Sequence, residues 1–265
     1  MGVVNQLIRI KGTSEEELRA MWHGVDLIKR TGERAYVRAG MRLFREQETD
    51  TIKRLRDLYK GSPISRTSKD DFETAMKIFD LQRWYDATLE RYGPLVTRSI
   101  VQGYRTGAER VAFSTSFPPG DTRARATALE VLQKTKGMND TTLKMLAKQI
   151  GDGVERGETV DELAARVQRV FGAAPWRART IAQTSATPVF ESGQQLAFTD
   201  AGIDNKKWLS RRDGLVRDDH IEADGQEVKV DEPFYVGGES LMYPGDTAGS
   251  AGNVINCRCT SMAVL

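Results

Sequence analysis

From Ser14 to about Gly202 the apolar residues of this chain recur at three- and four-residue intervals, and beyond Gly202 that rhythm stops. A 3.6-residue period sustained this long restricts the first part of the chain to packed amphipathic helices. Ser14 with Glu17 three residues on forms a capping-box pattern, followed by Leu18, Met21, Trp22, Val25 and Ile28 on one helical face. Ala35 to Leu58 repeats the rhythm through Val37, Met41, Phe44, Ile52, Leu55 and Leu58, until Gly61-Ser62-Pro63 breaks it. A long helical region follows, with Phe72, Met76, Phe79, Trp84, Leu89, Leu95 and Ile100 as expected core residues, and Ser116-Phe117-Pro118-Pro119-Gly120 ends it. Three helices are then expected at roughly 121–135, 139–151 and 159–172. Asn139 or Asp140 caps the second, and Thr159 with Glu162 forms a capping box for the third. A further helix should start near Pro175 and run towards Gly202, kinked at Pro188.

After Gly202 the signals are those of strands and turns. Trp208-Leu209 suggests a short strand, Asp213-Gly214 and Asp224-Gly225 are turn dipeptides, and Val228 and Val230 alternate after the second. Glycines cluster at Gly237, Gly238, Gly245, Gly249 and Gly252, ahead of the closing Val254-Ile255-Asn256-Cys257-Arg258-Cys259. The expected fold class is therefore α+β: a mostly helical N-terminal region, 1–173, followed by a small mixed α/β C-terminal domain with long loops, 174–265. Hydrophobic content of 39% with 29% charge suits a globular core. No apolar run approaches the roughly 20 residues that cross a bilayer, so no membrane partner is expected. The N-terminal residues show no basic stretch followed by an apolar run, and synthesis as a soluble cytoplasmic protein is the expectation.

The net charge of +2 hides an asymmetry. Residues 1–150 carry 27 Lys/Arg against 19 Asp/Glu, and residues 151–265 carry 12 against 18. Between 98 and 148 there are nine basic and four acidic residues. Arg98, Arg105, Arg110, Arg123, Arg125, Lys134 and Lys136 are thus candidate contacts to a polyanion such as double-stranded DNA. Ordinary helical surface charge accounts for the same pattern.

Chemistry-bearing residues concentrate in the last 60 positions. The two cysteines, Cys257 and Cys259, are separated by one residue; a disulfide between them would close a small, strained ring, so reduced thiols are expected. On an extended strand a Cys-x-Cys pair presents both thiols to one face. With His220 and a nearby carboxylate they supply three or four ligands of the kind zinc prefers, and a structural zinc would staple a loop-rich subdomain. Two inert thiols beside a hydrogen-bonded histidine are the alternative. A Cys/His/Asp nucleophilic site is a third reading, but no Gly-rich elbow or oxyanion loop flanks either cysteine. His23, beside Trp22 on an amphipathic helix, reads as a packing or surface residue. The chain lacks a Gly-x-x-x-x-Gly-Lys-Ser/Thr loop, a His-Glu-x-x-His helix and a Gly-x-Ser-x-Gly elbow, and Asp70-Asp71 and Asp218-Asp219 read as a helix start and a turn. These features favour a structural or binding role over an enzyme.

One ordered set of motifs carries a resemblance. Arg177-Ala178-Arg179-Thr180-Ile181-Ala182-Gln183-Thr184 leads through Gly193 and Gly202 to Lys207-Trp208-Leu209. Asp213, Arg217, His220 and Asp224-Gly225-Gln226 follow, then Pro233-Phe234, Tyr243-Pro244-Gly245 and the ending Asn256-Cys257-Arg258-Cys259. This run resembles the phage Mu protein F-like family of minor head proteins. Ser185 departs from it, because that family often has Glu after the helix Thr. The resemblance implies a low-copy phage head component at the portal vertex, active in head assembly, DNA packaging or DNA ejection and without catalytic activity. Its implied partners are the portal protein, the major capsid or scaffolding protein, and packaged double-stranded DNA. Its implied place is the virion interior near the portal, after assembly in the host cytoplasm. The resemblance also implies that Asp213, Arg217, Asp224 and Asn256 form a structural polar cluster near His220, Cys257 and Cys259. In it Arg217 would pair with Asp213 or Asp219, Asn256 would satisfy turn backbone, and a zinc would stabilise the fold. A DNA-binding ejection protein and a Cys/His hydrolase or toxin-like enzyme are the competing functions.

Overall fold

The structure is a computed structural model, and it describes residues 14–60, 71–118 and 120–265. The first helix, α1, runs from Glu15 to Leu58 without interruption. Its cap is the expected one: the Ser14 N–H donates to Glu17 Oε2 at 2.7 Å, and the Glu17 N–H to Ser14 Oγ at 3.2 Å. The face read through Ile28 and the stretch read from Ala35 to Leu58 therefore lie on one helix. Between them the Thr31 hydroxyl donates back to the Leu27 carbonyl at 2.9 Å, within the helix. Gly61-Ser62-Pro63 lies outside the described residues.

The long region expected beyond it is two helices, α2 (Asp71–Ile78) and α3 (Leu81–Arg110), parted where the Asp80 carboxylate accepts the Arg83 N–H at 3.1 Å. Phe79, Trp84 and Ile100 are buried as expected, but Phe72, Met76 and Leu89 are exposed. The two-turn α2 buries Thr74, Ala75 and Ile78 instead, which turns Phe72 and Met76 outward. The break at 113–118 is present, and α4 (Thr122–Glu155) follows as one helix where two were expected. Asn139 is the reason. It does not cap a helix end; its buried amide donates to the Trp84 carbonyl, Thr88 Oγ1 and the Lys136 carbonyl, while its oxygen accepts from Gln47. Four bonds satisfy the side chain inside the core and leave the helix backbone intact. Next, α5 (Val160–Gly172) carries the complete Thr159/Glu162 capping box, and α6 (Ala174–Asp200) continues through Pro188.

The remaining elements are short. They comprise β1 (Asn205–Leu209), α7 (Asp218–Glu222), β2 (Glu227–Lys229), β3 (Phe234–Val236), β4 (Glu239–Leu241), α8 (Ala251–Val254) and β5 (Thr260–Val264). An antiparallel sheet of order β2-β1-β5 sets Trp208 opposite Ser261 and Lys207 opposite Glu227. A second two-stranded sheet, β3-β4, turns at Gly237-Gly238, both at positive φ, as a tight hairpin with the native twist requires.

Two packing units interleave along the chain. One contains Tyr36–Gly93 and Leu132–Ile181. Its core holds Tyr36, Leu43, Phe44, Leu55, Trp84 and Tyr92, together with the Asn139 network. The other contains the chain up to Ala35, Pro94–Val131 and Ala182–Leu265. Within it α3 and α6 meet through glycines. A Cβ at Gly107 would lie 3.0 Å from that of Ala197, and a Cβ at Gly103 or Gly193 would collide with the backbone carbonyl of Phe190 or Ile100. This close approach positions the polar face of α6 for the site described next.

Candidate functional site

The site begins with Trp208, fully buried on β1, whose ring meets Phe234 and His220 edge-on at centroid distances of 5.3 and 5.6 Å. Around it pack Ala223, Val236, Leu241, Cys257 and Cys259, with Val228 at the margin. The short α7 turns His220 inward and Ile221 outward, so the imidazole enters this apolar core from one side.

The cysteines enter from the other. After α8, Asn256 takes a left-handed conformation, φ 57°, which asparagine tolerates better than most residues. Its N–H donates to Thr184 Oγ1 at 3.3 Å, and its carbonyl accepts from Gln183 Nε2 at 3.3 Å. Cys257 to Cys259 then lie ahead of β5 and not on it as expected; the strand starts at Thr260. Each carbonyl of the tripeptide is held separately: Cys257 by Thr187 Oγ1 (3.1 Å), Arg258 by Trp22 Nε1 (3.1 Å) and Cys259 by Lys29 Nζ (2.8 Å). The Arg258 side chain points away and bonds both oxygens of Asp213, at 3.0 and 3.1 Å. Both thiols consequently face His220. Cys259 Sγ lies 3.3 Å and Cys257 Sγ 3.9 Å from His220 Nδ1, and the three residues are 1–2% exposed. Their donor atoms fall within 4.8 Å of one another, close enough to share one metal ion, and they are the only such group among the described residues.

The two thiols are electrostatically unlike. A hydrogen bond from Cys259 holds the Cys257 thiol well below its ordinary pKa, with further help from His220, whereas burial pushes the Cys259 thiol well above. Behind them lies a buried ion pair: Lys29 Nζ is 3.0 Å from Glu191 Oε1, and Glu191 Oε2 accepts from the Ser261 N–H (3.0 Å), Ser261 Oγ (3.2 Å) and Gln194 Nε2 (3.1 Å). Burial is the largest single influence and opposes the charge on Lys29, but Glu191, Cys257 and Glu33 together raise its pKa above the ordinary value. On β1, Lys206 is also fully buried, bonded to the Met242 carbonyl at 2.8 Å, and burial lowers its pKa to about 8.

The other residues singled out in the sequence serve the walls of the site. Arg217 pairs with neither Asp213 nor Asp219; it donates to the Ile255 carbonyl, because Asp213 is already taken by Arg258 and by Arg211 at 2.7 Å. Asp224 accepts from the Ser210 N–H (2.7 Å) and Arg212 Nε (2.6 Å) and pins the turn after β1. Arg177 is buried in the other packing unit, on Met138, Thr142 and the ring of Phe44. Among the basic residues, Arg110 is partly buried: it donates to Met262 Sδ and the Met21 carbonyl, and burial lowers its pKa to about 10. Arg123 is ion-paired with Asp121 and Asp200, and Lys136 lies over the Tyr85 ring at 4.3 Å. Arg98, Arg105, Arg125 and Lys134 are exposed.

Sequence reasoning overlooked Lys29, Glu191, Lys206 and Ser261. One signal was available for the first: Lys29 falls four residues after Val25 and seven after Trp22, on the buried stripe of α1, where a lone cation demands a partner.

Residues 144–262, somewhat under half of the chain and including His220, Cys257 and Cys259, match the family described as Phage Mu protein F like protein. The match starts 30 residues before position 174, inside α4. The chain is 33% identical over 130 residues to the NAD(+)–arginine ADP-ribosyltransferase EFV of Enterococcus faecalis, which covers 48% of this chain and 26% of that enzyme. It is 25% identical over 161 residues to an uncharacterized protein of Haemophilus influenzae (61% and 34% covered), and 25% over 133 residues to YqbB of Bacillus subtilis (48% and 44%). The chain thus spans from about a quarter to less than half of the length of these relatives. No solved structure matches it. Among the described residues no helix is long and apolar enough to cross a membrane.

Proposed function

We propose that this protein is a minor head protein of a tailed phage, carried in the virion beside the portal and acting in head assembly, DNA packaging or DNA ejection. The observation that carries the reading is the family match over 144–262, whose most distinctive motif, Asn256-Cys257-Arg258-Cys259, forms the wall of the buried cluster. In this reading the helices supply docking surface to the portal protein, and to capsid or scaffolding protein. His220, Cys257 and Cys259 hold the C-terminal unit together around a structural metal. The hydrolase or toxin alternative is disfavoured by burial: a nucleophile has to meet its substrate, and both thiols lie inside the core. The ADP-ribosyltransferase relative does not revive it, because the shared stretch is about a quarter of that enzyme.

The test is co-expression with the portal protein of the same genome, read by size-exclusion chromatography with light scattering. A stable complex of the two is expected. Separate elution at concentrations well above micromolar would overturn the portal assignment, and salt-sensitive binding of duplex DNA by the separated protein would favour the ejection-protein reading.

A further inference from the structure

We infer that His220, Cys257 and Cys259 form a zinc site, with His220 Nδ1 and the two Sγ atoms as its protein ligands. The inference deepens the metal reading above. It rests first on spacing. For Zn–S bonds near 2.3 Å and Zn–N bonds near 2.0 Å, tetrahedral geometry sets sulfur and nitrogen ligands about 3.6 Å apart. The two Sγ–Nδ1 separations, 3.3 and 3.9 Å, bracket that value.

The second support is charge. Trp208, Phe234, Val236 and Leu241 surround the cluster, and an unpaired charge in such a lining is costly. Two thiolates, one neutral imidazole and Zn(II) sum to zero, so the loaded centre satisfies three polar side chains at no net charge. The binding step balances simply: one Zn(II) enters, two S–H protons leave, and no electrons move.

The third support is pre-organisation. The carbonyls of Cys257, Arg258 and Cys259 are bonded to three different side chains, and the left-handed Asn256 sets the turn before them, so the tripeptide is held in shape by groups that are not ligands. Ordinary metal sites also place an acceptor behind the ligating imidazole. Here His220 Nε2 is buried with no protein hydrogen-bond partner among the described residues. By itself that omission weakens metal affinity by about 10- to 100-fold relative to a fully supported site.

The full chain, purified without chelator, is the material for the test. Elemental analysis should return about one zinc per chain. Replacement by Co(II) should give the visible bands of a tetrahedral ion together with near-ultraviolet thiolate-to-metal charge transfer. Removing zinc with chelator should lower the melting midpoint by roughly 5–10 °C, and re-adding it to about a hundredfold over Kd should restore it. Cys259→Ser and His220→Ala should each abolish the Co(II) thiolate spectrum. Because either variant can fail to fold, the measurements on the unaltered chain decide. Protein that is folded, metal-free and unmoved in melting by a large excess of zinc overturns the centre. Since none of these measurements involves the portal, metal binding and head function can fail separately.

Discussion

Glu191 is the residue whose replacement should tell most about the site. It is 0% exposed, neutralises Lys29 and fixes Ser261 at the start of β5, while Lys29 holds the Cys259 carbonyl. Removing one partner of a buried pair leaves the other charge uncompensated, which costs about 3–5 kcal/mol. Glu191→Gln keeps size and hydrogen-bonding capacity but removes the charge, so a fall in melting midpoint of about 10 °C is expected by differential scanning calorimetry. An unchanged midpoint would mean that Lys29 is not charged in the folded protein. The polar contacts of this site were the part least legible in the sequence. The family resemblance implied Asp213 or Asp219 as the partner of Arg217, yet Asp213 is held by Arg258, 45 residues away, as well as by the neighbouring Arg211. Sequence separation ranks such pairings poorly, because the tertiary fold decides which cation reaches a carboxylate first.

At the scale of elements, glycine separates two kinds of helix. Gly193 on α6 lies against the backbone of α3, where a methyl group has no space, whereas at Gly137, inside α4, an added Cβ would come no closer than 3.9 Å to Asp140 Oδ2. Gly193→Ala should therefore destabilise by about 3 kcal/mol or more through overpacking against a carbonyl. Gly137→Ala should stabilise by about 0.5–1 kcal/mol, the ordinary gain from removing glycine from a helix interior. Urea titration of both variants checks the pair, and effects of the same sign would refute the assigned helix contact. Helix starts marked by a side chain, Ser14 and Thr159, were legible because a capping box is local chemistry. The continuity of α1 and α4 was not. At Thr31 a hydroxyl turns back onto the helix, and at Asn139 the apparent cap is a core hydrogen-bonding residue, three of whose four partners lie 51 to 92 residues away.

For the whole molecule, the basic excess between 98 and 148 is smaller at the surface than in the sequence. Arg110 is partly buried, Arg123 is ion-paired and Lys136 lies over the Tyr85 ring, whereas Arg98, Arg105, Arg125 and Lys134 are exposed. If all four met phosphates, the logarithm of the DNA affinity would fall against that of salt with a slope no steeper than about −4. Filter binding over a salt series gives this slope directly. A much steeper one would locate the contact surface elsewhere, and no binding at low salt would remove DNA from the partners of the isolated protein.

The sequence by itself determined the class of the fold and the position of the change from helix to strand, because periodicity and turn dipeptides are local patterns, and its ordered C-terminal motifs carried the family resemblance. It also identified His220, Cys257 and Cys259 as a set. Only the tertiary structure decided that the thiols face inward from a tripeptide ahead of β5, and that Lys29 and Glu191 lie buried behind them. The physical reason is distance along the chain. The cluster and its support join α1, α6, α7 and the C-terminal segment, and which polar groups meet across those gaps depends on how closely the helices pack.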